Sequence, residues 1–183
     1  MRIAVVGKGN VGGGLADRWE KAGHDVARIG RDGGDVSEAD AVLIAVPGGS
    51  IAEAVENVSG LEGKTAVDAT NLVGIEPPDG FASNAEFLKS KTGGPTAKSF
   101  NLNFAVLYDR LRDARATPGN LWCGDDEARD VVEQLNRDAG FEPVYAGGLE
   151  NAGLQENFIG LVFAINQGGL GPFVYRMATP DEL

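Results

Sequence analysis

The residues best placed to do chemistry stand at the start of the chain. Gly7, Lys8, Gly9, Asn10, Val11 and Gly12 form a G-x-G-x-x-G directly after the branched apolar run at residues 2–6. Between a buried strand and a helix, this spacing builds an anion cradle. The first glycine permits the tight turn, the second lets backbone approach a pyrophosphate, and the third lets helix and strand pack closely. The open N–H groups of the helix start then meet the anion. Ordinary turn glycines are the bland alternative, and the flanking strands argue against it. The expected ligand is a nicotinamide dinucleotide.

Which dinucleotide is set about 20 residues on, at the end of the second strand, where an acid would hold the ribose 2′-hydroxyl of NAD. Here the chain reads Ile29, Gly30, Arg31, Asp32. Gly30 carries no acid, and the Arg31 guanidinium suits the 2′-phosphate of NADP. The sequence therefore favours NADP, with two alternatives open: Asp32 reaching the ribose after a loop shift, or Arg31 simply facing solvent.

Further candidates follow the next strands at the same rim. Ala45, Val46, Pro47 and Ser50 are expected to bind the cofactor, and Gly48 and Gly49 to leave open space for a substrate beside the nicotinamide. Asn71 closes the fourth strand and suits a ribose or carboxamide hydrogen bond, or equally a turn cap. Asn101 is assigned to the substrate side.

Acids are scarce. His24, the single histidine, falls at the start of the second strand, opposite the rim, and reads as structural. Lys98 and Tyr108 remain as possible proton donors for a carbonyl or imine substrate. Arg110, Arg112 and Arg115 could meet an anionic tail, although a solvated face is the commoner meaning of such spacing. No cluster of His, Cys and carboxylates has ligand spacing, so no metal is expected. Cys123 is the only cysteine, which leaves no disulfide within one chain, and it reads as a small apolar strand residue.

These residues need a scaffold, and the pattern supplies one. Short apolar runs at 2–6, 25–29, 41–46 and 65–69 read as strands. Weaker strands are expected at 97–100, 121–123 and 143–145. Helices are expected at 10–22, 50–58, 81–90, 104–114 and 125–138. This alternation implies an α/β, doubly wound, mostly parallel sheet. Residues 30–40 are too few for the usual helix and should form a loop or a single turn. From 150 the chain reads as one long apolar helix to 167. The expected division is a dinucleotide-binding domain at 1–149 and a C-terminal helical element at 150–183. The apolar stripe at 158–165, with Leu154, Leu161 and Leu170, either folds back on the sheet or pairs two copies, and a homodimer is the favoured reading.

Composition removes other classes. With 27 acidic and 16 basic residues the formal charge is −11, so a nucleic-acid backbone would be repelled. The longest uncharged apolar run, at 158–165, falls far short of the ~20 residues that span a bilayer. With no signal-peptide pattern at the start, a cytoplasmic protein is expected.

The chain also resembles a known group, the NADP oxidoreductases that depend on the deazaflavin coenzyme F-420, whose dinucleotide domain is similar to that of the STEAP-type reductases. The resemblance rests on R-I-A-V-V-G-K-G-N-V-G from Arg2, A-V-P from Ala45, D-A-T-N from Asp68, K-S-F-N from Lys98 and G-L-E-N-A from Gly148. It implies a Rossmann domain with a small C-terminal helical element, NADPH binding, and hydride exchange between nicotinamide and deazaflavin. It also accounts for the missing acid, because a conjugated ring accepts hydride without a protein proton donor. Gly30 departs from the family, which often places a small hydroxyl residue there. Two alternatives stand beside this reading: an NADPH-dependent imine or carbonyl reductase, and a non-enzymatic NADP-binding sensor.

Overall fold

A computed structural model describes residues 1–182. Its strands and helices alternate as β1 (Arg2–Val6), α1 (Asn10–Lys21), β2 (Asp25–Ile29), β3 (Gly34–Asp35), β4 (Ala41–Ile44), α2 (Ile51–Glu56), β5 (Val58–Ser59), β6 (Thr65–Asp68), α3 (Asn84–Thr92), β7 (Thr96–Ser99), β8 (Gly119–Gly124), α4 (Arg129–Asp138), β9 (Glu142–Tyr145) and α5 (Ala152–Ile165). Seven strands form one sheet in the order β2-β1-β4-β6-β7-β8-β9. Every neighbouring pair is parallel except β7 and β8. This is the doubly wound, mostly parallel fold that the sequence pattern implies.

The core explains why β1 and β4 read as unbroken apolar runs. Ile3 and Val5 face one side of the sheet, packed with Leu15 and Trp19 of α1 and with Leu135 of α4, while Ala4 and Val6 face Ile51, Val55 and Leu88 on the other. Strands buried on both faces have no polar side to alternate with. Trp19 also donates its indole N–H to the Leu135 carbonyl at 2.9 Å, so it packs without an orphaned polar atom.

Several boundaries differ from expectation. The helix expected at 81–90 begins later, because the Ser83 hydroxyl accepts from the Glu86 N–H at 3.1 Å and caps it there. At its far end Gly93 takes φ +60°, the left-handed turn that ends a helix. The stretch expected as a helix at 104–114 is a 3-10 segment, Ala105–Asp113, which buries Tyr108 and Leu111. It does not carry the chain back to the other edge of the sheet, so β8 enters from the edge where β7 ended and runs antiparallel. The expected helix at 125–138 opens as a 3-10 turn, Asp126–Ala128, before α4. The long C-terminal helix is likewise divided into a 3-10 turn (Leu149–Asn151), α5, and a π turn (Asn166–Leu170). Gly169 at φ +113° breaks that last turn. Leu183, the last residue of the expected C-terminal element, lies outside the described residues.

Residues 30–40 hold no helix, as expected. They are fastened instead by two-residue β3, which pairs with β5. On α5, Ile159 and Val162 are buried beside Leu102, whereas Leu154, Leu161 and Leu170 are exposed. No helix among the described residues is long and apolar enough to cross a membrane.

Candidate functional site

The site is built where β1 is flanked by β2 and β4, the point at which chain order reverses and open α/β sheets leave a crevice beyond the strand ends. Gly7 turns the chain out of β1 at φ +111°, and a Cβ there would stand 2.2 Å from the Ala45 carbonyl oxygen. A Cβ at Gly12 would stand 2.0 Å from the Gly7 carbonyl oxygen. Both glycines are therefore demanded by the protein itself. Gly9 is different, because its φ is −74° and a Cβ would meet nothing within 4 Å. The chain keeps that space clear without needing it for its own packing.

Gly9 caps α1 with no side-chain hydrogen bond, and the first turn contains no acid. The N–H groups of Asn10, Val11 and Gly12 lie in that first turn and so have no partner within the helix. Their dipoles add a partial positive charge at the same place. A cavity of about 330 Å³ reaches the loop that leads into this turn, at Gly7, Lys8 and Gly9. Of the residues singled out in the sequence, Gly7, Lys8, Gly9, Gly30, Arg31, Ala45, Val46, Pro47 and Ser50 line it. Asn10, Val11 and Gly12 do not line it and sit in the α1 turn behind Gly9. Glu53, Ala54 and Asn57 also line it, from α2 and the residue after it, and the sequence reading missed them. Their i, i+1, i+4 spacing marks one helix face, but only the crossing of α2 over β4 decides that this face meets the cavity. Among the described residues, neither Lys8 nor Arg31 makes an ion pair, so two bare cations border the end of β2.

The other expected rim residues are placed away from this cavity and are bound to one another. Asn71 donates to the Asn101 carbonyl at 2.7 Å, and Asn101 donates back to Asn71 Oδ1 at 2.9 Å. Gln155 of α5 holds Asn101 Oδ1 at 2.8 Å. Gly48 is buried: its carbonyl accepts from Asn84 at 3.1 Å, and a Cβ would lie 2.2 Å from the Asn71 carbonyl oxygen. The expected open space at Gly48 is thus filled by the next rim loop. Gly49 is exposed, with Ile75 Cδ1 the nearest group to a Cβ at 3.2 Å.

Both expected proton donors prove to be internal. Lys98 is wholly buried, with Nζ 2.7 Å from Asp68 Oδ2, 2.9 Å from the Thr70 carbonyl and 2.6 Å from Glu156 Oε1. Burial raises the Glu156 carboxyl above its ordinary range, and Lys98 opposes that shift. Tyr108 is buried against Phe141 and Gly14, and burial pushes its hydroxyl up as well. Neither residue lines the cavity. The lysine lost its availability because two carboxylates close on it from distant parts of the chain.

The remaining candidates take the bland reading. His24 bonds Asp138 Oδ2 at 2.7 Å, at the opposite end of β2 from the cavity. Burial pushes the Cys123 thiol up to about 12, which makes it a poor nucleophile. Arg110 and Arg112 are exposed on the 3-10 segment, Arg115 follows it, and none lines the cavity. No group of three or more His, Cys, Asp or Glu among the described residues could hold a metal.

Comparison with known proteins rests on structure, since no family model and no curated protein sequence matches the chain. The fold is similar to that of a candidate F-420-dependent NADP reductase from an Arthrobacter species, with TM-score 0.77 and 22% identity over 98% of this chain and 100% of that one. A hypothetical protein from Sinorhizobium meliloti matches with TM-score 0.65 and 25% identity over 84% of this chain and 88% of its own. A reductive aminase from Aspergillus terreus, solved with NADPH and ethyl levulinate, matches with TM-score 0.65 and 14% identity over 92% of this chain and 63% of that one. The chain therefore spans about three-fifths of the aminase's length. These likenesses establish a Rossmann-type fold with a C-terminal helix.

Proposed function

We propose that this chain is an NADP-linked oxidoreductase that passes hydride between NADP(H) and a planar redox cofactor, the deazaflavin coenzyme F-420 first. The observation that carries the proposal is the cavity itself, which joins an uncapped helix start to two bare cations at the end of β2. The dinucleotide supplies the hydride when bound. The α1 turn of Asn10, Val11 and Gly12 would hold its pyrophosphate, with Gly9 kept small to let it close. Gly30, Arg31 and Lys8 would meet the 2′-phosphate end. Ala45, Val46, Pro47 and Ser50 would guide the other half along the ends of the central strands.

The choice of acceptor rests on what the rim lacks. Among the cavity-lining residues Ser50 is the only hydroxyl and Glu53 the only carboxyl, and Glu53 sits on the α2 side. Lys98 and Tyr108 are internal. Lys8, the one ammonium of the lining, lies along Gly30 beyond β2, so a developing alkoxide or amine at the ends of the central strands would find no ammonium beside it, whereas a conjugated ring spreads the incoming charge over itself. Asn71 and Asn101 can position an acceptor but are weak acids. Gly49 and the exposed Val73 and Ile75 offer a surface of neutral groups beside the rim. The likeness to the Arthrobacter protein, a candidate F-420-dependent NADP reductase, supports the same acceptor.

A second reading, reduction of an imine or carbonyl, is favoured by the reductive aminase neighbour with its bound NADPH. The exposed stripe of Leu154, Leu161 and Leu170 supports a homodimer built on the C-terminal element. The charge of −11 supports small-molecule rather than nucleic-acid partners. The test is NADPH oxidation against oxidised deazaflavin, FMN, ferric chelates and a cyclic imine, with NADH as control. Turnover with deazaflavin and NADPH is the expected result. Turnover confined to the imine would move the chain to the second reading, and binding without any turnover would make it a sensor.

A further inference from the structure

We propose that Lys8 is the second cation of the 2′-phosphate site and shares with Arg31 the discrimination between NADP and NAD, from a position along the bare backbone of Gly30. This rests on the reading that the cavity holds NADP.

Gly30 follows β2, yet its backbone gives no reason for a glycine. It is absent from the glycines at positive φ, so any residue could adopt its conformation. What it would meet decides the matter. A Cβ at position 30 would lie 3.4 Å from both Cε and Nζ of Lys8 and 3.9 Å from its Cδ, and nothing else comes within the nearest set. The end of the Lys8 side chain therefore lies along the bare backbone of Gly30. A Cβ there would make ordinary van der Waals contact with the end of Lys8, so a bare Gly30 leaves the ammonium the most room along this stretch of backbone.

This fixes which way Lys8 points. From the loop between β1 and α1 it could lean toward the pyrophosphate cradle at Gly9 or across to the end of β2. Its Nζ lies along Gly30, the residue before Arg31, and Lys8 and Arg31 line the same cavity. The surrounding charges sharpen the point. Arg28, at the neighbouring position on β2, is neutralised by Asp17 at 2.7 Å and Glu20 at 2.8 Å. Lys8 and Arg31 have no ion pair among the described residues, in a chain of net charge −11 that could have supplied one. Glu53 on the cavity wall and Asp32, next to Arg31 in sequence, are not among the ion pairs of the described residues. Two adjacent cations left open in this way repel each other and are stabilised by a dianion arriving between them.

The two cations would divide the work by their chemistry. A guanidinium offers a planar fork that fixes the direction of a phosphate, and an ammonium offers a compact charge that can swing to it. Lys8 would thus replace the short side chain that a hydroxyl residue at position 30 would have presented.

The test uses direct binding titrations of NADPH, NADH and adenosine 2′,5′-bisphosphate to the wild type, Lys8→Met and Lys8→Arg. Lys8 is solvent-exposed, and methionine keeps a stem over Gly30, so the fold should survive; a thermal melt checks it. Lys8→Met should weaken NADPH and the bisphosphate by about 10- to 100-fold, the scale of one charge-assisted hydrogen bond, and NADH by less than about threefold. Lys8→Arg should restore most of the loss. Equal weakening of NADPH and NADH would overturn the proposal by assigning Lys8 to the shared pyrophosphate, and an unchanged preference in Lys8→Met would overturn it alone. A wild type with no preference for NADPH would overturn both this proposal and the NADP reading beneath it.

Discussion

Gly9→Ala separates the binding role of the glycine loop from its role in folding. The substituted residue keeps φ −74°, which any residue adopts, and its Cβ meets nothing within 4 Å. Reduced freedom of the unfolded chain stabilises such a change by about 0.4–1 kcal/mol, and the poorer cap at the start of α1 offsets this by a similar amount. Net stability should move by less than about 1 kcal/mol. Binding should not survive as well. On the proposed assignment, the methyl group would occupy the space through which a phosphate reaches the N–H groups of Asn10, Val11 and Gly12. Charge-assisted hydrogen bonds are worth about 1.5–3 kcal/mol each, so two lost bonds weaken NADPH by roughly 10²- to 10⁴-fold. Gly12→Ala is the contrast, because its Cβ would lie 2.0 Å from the Gly7 carbonyl oxygen and must force α1 away from β1. That variant should lose stability along with binding. Quenching of tryptophan fluorescence by NADPH, paired with a thermal melt, reads both quantities. A Gly9→Ala protein that melts normally and binds NADPH within twofold of wild type would refute the assignment of the cradle.

Other outcomes follow from the buried charges and the exposed stripe. Lys98→Met leaves Asp68 and Glu156 buried without their cation and should cost about 3–5 kcal/mol in urea unfolding, whereas Glu156→Gln should be tolerated. Because burial raises the Glu156 carboxyl, the folded state holds that proton more tightly than the unfolded chain. Its contribution is full below the ordinary carboxylate pKa and lost as pH rises through the raised value, so Glu156→Gln should flatten that fall in stability. Leu161→Glu, on the exposed side of α5, should shift sedimentation from dimer to monomer while leaving the thermal melt of the fold intact. A wild type that sediments as a monomer at micromolar concentration would remove the dimer.

The central fold was legible because its signals are local. The branched run that ends at Val6 is the pattern of a parallel strand buried on both faces, the run that ends at Ile29 that of a half-exposed edge strand, and Gly12 is demanded by a contact within its own β-α unit. What was illegible depends on residues far apart in the chain. Lys98 reads as a surface or catalytic lysine until Glu156 of α5 arrives beside it, and fully buried lysines are rare without such a partner. The reversal of β8 was hidden because residues 104–114 have the apolar spacing of a helix, and spacing alone does not separate a 3-10 segment from an α-helical crossover. The direction of Lys8 was equally hidden, since nothing in a G-x-G motif says whether its variable residue leans toward the phosphate cradle or the second strand. At the site, the motif gave the loop and the strand ends, but the wall made by Glu53, Ala54 and Asn57 needed the packing angle of α2.

The most direct test of hydride transfer to a planar ring uses NADPH carrying deuterium at C4 of the nicotinamide, in both stereochemical forms, mixed anaerobically with this protein and oxidised deazaflavin coenzyme. One form should deliver its deuterium to C5 of the deazaflavin, seen by NMR, with loss of the oxidised deazaflavin's visible absorbance matching NADPH consumed one for one. No deuterium in the deazaflavin from either form, with NADPH bound and the protein folded, would contradict the account.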